Sequence, residues 1–337
     1  SDTKGMCECP NCKALVEEEG SDAALILSFV NYMADGIKDD YPEVYIDTLA
    51  YLSTQKLPKT IWPKDNVIIR LCNTSGNRQK DINDPDNAEW RNCVLEWKNV
   101  TQHLVIWDYV VTFGNHADLP TPTIHTYPSY FLFYVKNNLD GLFLELEHSV
   151  TADLRDLKVW MTIKLLEDPT LDYNKLLITF TDGFYGPAGI NIREYLSSLE
   201  DAVASRDVNI SWCPTLGYYR FLDLAFILKA EETFNEAEDA VKEDPILLRR
   251  VRHARLSLER AIIKLFPEFE KEWVASGKEL TSFPINSDFL LKRCRDTWYR
   301  EAEFRIINVD KREKEKIKAD AELQAFYSLT MRKSLQL

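Results

Sequence analysis

The sequence predicts an α/β fold of parallel strands under helices, half of a (β/α)8 TIM-type barrel, followed by an α-helical region. Three observations carry this expectation. Four short β-branched and aromatic runs are almost continuously apolar, as strands buried on both faces are. Polar loops and segments of helical periodicity separate them. Beyond about residue 190 only helical periodicity remains. The expected division is therefore a barrel half over residues 1–190 and a helical domain over residues 191–337.

The elements follow in order. After a polar start, Ser21 is a plausible N-cap for a helix over about residues 21–39, with Leu25, Phe29, Tyr32, Met33 and Ile37 as its apolar face. The first strand covers residues 44–51, and a loop with Pro58 and Pro63 leads to the second, residues 66–72. The polar, turn-rich stretch 73–86 reads as a loop. A helix over about residues 88–100 carries Trp90, Val94 and Trp97 on one side. The third strand is residues 104–111. A Pro-rich loop, a helix near 129–137, the fourth strand at 141–146 and a helix near 152–166 complete four strand–loop–helix units. Helical periodicity then covers about residues 190–205, 217–241, 245–265 and 287–330. No Gly-rich phosphate loop follows any strand, which weighs against a nucleotide-binding doubly wound sheet. The strands end instead in Tyr51, Arg70, Asp108 with Tyr109, and Glu145. Barrels build their sites from such groups at the C-terminal ends of successive strands.

Composition narrows the partners. Hydrophobic residues make up 45% of the 337 residues, ample for a packed core. Lys and Arg total 41 against 54 Asp and Glu, a net charge of −13 that repels phosphate backbones, so nucleic acid is not an expected partner. No run reaches the roughly 20 apolar residues of a membrane span. No secretory signal is visible. The sequence opens at Ser1 without Met, so its natural N-terminus is expected to lie elsewhere.

Several segments together resemble one family: residues 30–37 (Val-Asn-Tyr-Met-Ala-Asp-Gly-Ile), 48–51 (Thr-Leu-Ala-Tyr), 66–72 (Asn-Val-Ile-Ile-Arg-Leu-Cys), Trp107-Asp108-Tyr109, Lys164-Leu165-Leu166 and 184–188 (Phe-Tyr-Gly-Pro-Ala). With the Cys-x-Cys-x-x-Cys start, they look like Domain of Unknown Function 4838, a family of bacterial carbohydrate-utilisation proteins. The similarity runs over about residues 5–200. It implies a barrel distantly similar to glycoside hydrolases such as α-glucuronidases and β-hexosaminidases, in which this chain would hold strands five to eight. It also implies a carbohydrate ligand and a periplasmic or extracellular location. A missing N-terminal barrel half, a second chain or the chain's own helical tail would be needed to cover the sheet edges. The general acid of such barrels usually comes from strand four, in that other half.

The candidate chemistry centres on Asp108 and Glu145, at the ends of neighbouring strands, because glycoside hydrolysis uses two carboxyl groups. The alternative for Asp108 is a structural ion pair with Arg70. Arg70 could instead grip a substrate carboxylate, as a uronic acid requires. Tyr51, Trp107, Tyr109 and Tyr127 are candidate substrate-binding aromatics, since sugar rings present flat C–H faces; ordinary packing is the alternative for each, as for Trp62 and Phe113. Trp107 and Tyr109 are read as facing opposite ways, so that at most one points into the lumen. Glu147 and His148 read as loop surface. Cys7, Cys9 and Cys12 resemble a metal knot, but three ligands are one short of a zinc set, and a disulfide or free thiols remain open. No metal or cofactor is assigned. The expected function is a glycoside-hydrolase-like protein acting on or binding an oligosaccharide or polysaccharide. The alternative is a non-catalytic carbohydrate-binding or scaffold protein on a degenerate glycosidase barrel.

Overall fold

Four parallel strands, in the order β1-β2-β3-β4, form the only sheet among the described residues. The computed structural model describes residues 5–334 except 147, 207 and 211. These fall into two compact units. One extends to residue 110 and takes in residues 126–146; the other holds residues 111–125 and the chain beyond residue 146.

The first unit contains α1 (Pro10–Glu19), α2 (Ala23–Ile37), β1 (Ile46–Ala50), β2 (Val67–Cys72), α3 (Ala88–Val100), β3 (His103–Tyr109), α4 (Tyr127–Lys136) and β4 (Gly141–Glu145). Val67, Ile69, Leu71, Leu104 and Ile106 point to one side of the sheet and are buried. On that side α3 contributes Trp90, Val94 and Trp97, all buried as their 3.6-residue spacing requires. Burying side chains of this size contributes about 1.5–3 kcal/mol each.

The β1–β2 connection is the expected loop, with a 3-10 turn at Leu52–Thr54 and no α-helix. Pro58 and Pro63 lie in this stretch, and neither can donate a helical hydrogen bond. The facing of α2 differs from the sequence expectation. Its buried side is Ala23, Ala24, Leu27, Val30 and Ala34, whereas Phe29 and Tyr32 are 64% and 79% exposed. Small residues let α2 approach β1 and β2 closely, and the large apolar residues of its other stripe face outward.

The second unit is helical: α5 (Arg155–Glu167), α6 (Tyr173–Tyr185), α7 (Gly189–Ala204), α8 (Leu224–Ala240), α9 (Pro245–Ala275), α10 (Ser287–Arg305) and α11 (Val309–Ser334). Asp172, Asp223, Asp244 and Asn286 cap α6, α8, α9 and α10, each accepting a first-turn backbone N–H. The long final periodicity is two helices, α10 and α11. In this unit α5 packs on α6, and α6 on α7 and α9.

Helix α9 is the hub of this unit, and arginine–carboxylate pairs tie it to its neighbours. Buried Arg255 reaches Glu231 and Glu238 of α8, and Arg260 reaches Glu322 of α11. Arg249 pairs with the buried Glu301 of α10 at 2.8 Å. Asp156 of α5 accepts two bonds from Arg305, at 3.0 and 2.6 Å, and lies 3.5 Å from His253 Nδ1. Burial alone would raise the Asp156 carboxyl, but His253 and Arg305 outweigh it and hold the group well below the usual carboxylate range.

Two outcomes follow from this packing. A Cβ at Gly189 would lie 2.7 Å from the Thr181 carbonyl oxygen. Gly189→Ala is therefore expected to force α6 and α7 apart and cost about 1–3 kcal/mol, read as a lower urea midpoint. Because the folded Asp156 carboxyl is depressed, its contribution is present above the unfolded value near 4 and is lost as pH falls below it. Asp156→Asn should cost about 1.5–3 kcal/mol at pH 7, and the gap to wild type should close as urea denaturation is repeated toward pH 2.

Candidate functional site

Partners in a parallel register share a face. Asp47 aligns with Ile68 and Ile68 with His103; Leu49 aligns with Arg70, Arg70 with Val105, and Val105 with Gly141. Toward the C-terminal ends come Cys72, Trp107 and Phe143 in one row, then Tyr109 beside Glu145. These rows form the face opposite α3. Leu49 and Phe143 on it are 40% and 41% exposed, and Arg70, Trp107, Tyr109 and Glu145 are half-buried. A parallel sheet ordinarily has both faces covered, so this one is open where such sheets are usually closed.

The structure does not bring Asp108 and Glu145 together. Asp108 aligns with Leu144, one residue out of phase with Glu145, so the two carboxylates point to opposite faces. Asp108 is fully buried on the helix side. It accepts hydrogen bonds from Asn73 Nδ2 at 3.0 Å, Arg78 Nη1 at 3.0 Å and the Tyr134 hydroxyl at 2.8 Å. Arg78 also lies over the Tyr130 ring, 3.9 Å from its centroid. Burial opposes the Arg78 charge, yet Asp108 and the surrounding tyrosines hold its pKa above the ordinary value. Asp108 is thus the centre of a buried polar cluster. Its partner is Arg78 rather than Arg70, because Arg70 projects to the other face and pairs with Asp47.

The remaining candidates sort by face. Trp107 and Tyr109, two residues apart, share the open face, which corrects the expectation that they oppose each other. The Trp107 and Phe143 rings lie 4.2 Å apart, and Trp107 Nε1 is buried without a hydrogen-bond partner among the described residues. Burial raises the Tyr109 hydroxyl, and Cys72, Tyr51 and Glu145, all close to it, act in the same direction. Burial likewise pushes the Cys72 thiol up to about 12. The Glu145 side chain makes no hydrogen bond or ion pair to a described residue. Tyr127 does not join this face. It is fully buried in the first turn of α4, stacked on Phe131 and beside Arg78. Trp62 is exposed in the β1–β2 connection, and Phe113 meets Trp212 in the second unit. Glu147 lies outside the described residues.

The open face therefore gathers Tyr51, Arg70, Trp107, Tyr109 and Glu145 from the expected set and adds Asp47, Cys72 and Phe143. Strand parity could have found the additions, since each stands an even number of residues from a member of the set on its own strand. Arg78 carried a weaker signal, as a lone arginine in the polar loop after β2.

The sequence matches the family described as Domain of unknown function (DUF4838) over residues 1–197. No curated protein and no solved structure matches the chain.

The two carboxylates should respond differently to neutralisation. Asp108→Asn leaves the buried Arg78 without its counter-charge and is expected to cost about 3–5 kcal/mol in chemical denaturation. Glu145→Gln should change stability by no more than about 0.5 kcal/mol.

Proposed function

The chain belongs to the family described as Domain of unknown function (DUF4838), and from that premise we propose that it supplies one wall of a glycoside-hydrolase-like carbohydrate site. In this proposal the four strands are half of a (β/α)8 barrel and the open face is its lumen side. A further set of strands, from the same protein or a second chain, completes it. The half-buried Glu145 carboxylate, which makes no hydrogen bond or ion pair to a described residue, is the observation that carries the proposal. It stands at the C-terminal end of the last strand, beside Tyr109 and near the Trp107–Phe143 ring pair. A carboxylate hydrogen-bonds sugar hydroxyls, aromatic faces receive the C–H faces of the ring, and barrels place their sites at this end.

Hydrolysis needs a second carboxyl roughly 5–10 Å from the first. Asp108 lies on the wrong face for that role, and Asp47 is engaged by Arg70. Turnover would thus take its second carboxyl from the completing half. Among the described residues of this face Glu145 is the one carboxylate outside the Asp47–Arg70 pair, which equally favours a second reading, a non-catalytic carbohydrate-binding wall, in which Glu145 and the aromatics hold the ligand without cleaving it. Under either one we place the protein outside the cytoplasm, following its resemblance to carbohydrate-utilisation proteins.

A glycan-array screen of the full chain, followed by calorimetric titration with the hits, tests the binding role. Trp107→Ala and Glu145→Gln are each expected to weaken oligosaccharide binding tenfold or more, about 1.4 kcal/mol. Binding that survives both substitutions unchanged would remove the open face as the site.

A further inference from the structure

We infer that Cys7, Cys9 and Cys12 form a three-thiolate site for a single thiophilic d10 metal ion, Zn2+ or Cu+. The inference is independent of the carbohydrate proposal. The Sγ atoms of all three cysteines lie within 4.8 Å of one another. Local backbone geometry explains the convergence. Cys9 is the N-cap of α1 and is extended, at φ −64° and ψ 156°. Cys7 stands two residues before Cys9, and its Sγ lies on the same side as those of Cys9 and Cys12. Cys12 is the third residue of α1, where a side chain reaches back over the N-cap. Pro10 at the first helical position fixes the turn between them.

The distances suit a metal better than any other use of three thiols. Thiolates bound to zinc at about 2.3 Å stand about 3.8 Å apart in a tetrahedron, so the present spacing closes with a shift of about 1 Å or less. Three thiolates around Cu+ need a similar spacing. A disulfide would consume two sulfurs and leave the third beside it unused. The thiolate charges also fall at the positive end of α1. The far end of that helix is anchored, because Glu19 accepts hydrogen bonds from the Thr60 and Ile61 backbone N–H groups and from the Thr60 hydroxyl. Glu8 is not a fourth ligand: it is exposed and pairs with Lys13 at 3.4 Å. Among the described residues no other His, Cys, Asp or Glu joins the group. Binding replaces each S–H bond by an S–metal bond and releases up to three protons to water, with no change of oxidation state.

The test uses the full chain, reduced and stripped of metal, titrated with Zn2+ and, in a separate anaerobic arm, with Cu+. One equivalent should bind. Cys7→Ser, Cys9→Ser and Cys12→Ser should each weaken binding by about 100-fold or more. Cys213→Ser, at an exposed thiol outside the cluster, should leave it unchanged. Far-UV circular dichroism of each variant should match the wild type, which separates ligand loss from misfolding. X-ray absorption should count three sulfurs at about 2.3 Å with one oxygen for zinc, or three sulfurs alone for copper. Absence of binding by the reduced protein, binding that survives the triple serine variant, or a four-sulfur shell shared between chains would overturn the inference.

Discussion

A parallel sheet that packs one face on α3 and keeps Leu49 and Phe143 of the other face exposed is the constraint on which the rest of the first unit depends. The helix-facing side is finished: aliphatic residues from β2 and β3 are buried, and the Asp108 carboxylate there is satisfied by Asn73, Arg78 and Tyr134. The opposite side is unfinished in the same physical terms. It carries exposed Leu49 and Phe143, and, among the described residues, a buried indole N–H without a partner and a half-buried carboxylate outside any ion pair. Apolar surface beside such polar groups is the feature on which the functional proposal rests.

The two units solve the problem of buried charge in one way. Arg78 with Asp108, and Arg255, Arg260 and Arg305 with their glutamates and aspartate, are arginines whose forked donors meet carboxylates out of bulk water. Such pairs add little net stability over apolar packing, but losing one partner is costly, so they fix which helix faces which. Glu145 stands outside that scheme. It is a half-buried carboxylate that makes no hydrogen bond or ion pair to a described residue, which is why it, and not Asp108, anchors the functional proposal.

Much of this architecture was legible in the sequence. The four strands, their parallel arrangement and α3 follow from β-branched runs and from the spacing of Trp90, Val94 and Trp97. Facing was harder to read, because β3 is apolar on both sides. Asp47, Arg70 and His103 share the parity of the open face, but Asp108 stands an odd number of residues from His103 and turns inward. The same ambiguity affected α2, where two apolar stripes compete and the smaller residues win the core. The Asp108–Arg78 pair joins residues 30 positions apart through a loop whose path no local pattern encodes. Tyr127 was misplaced because α4 begins earlier than its proline-rich approach suggested.

Hydrogen–deuterium exchange, with and without a saturating oligosaccharide hit, probes the open face most directly. Slower exchange should appear in peptides covering the C-terminal ends of β1, β2, β3 and β4, while the outer surfaces of α3 and α4 remain unchanged. Protection confined to the helical unit, or none in the sheet at full ligand occupancy, would contradict a carbohydrate site on that face.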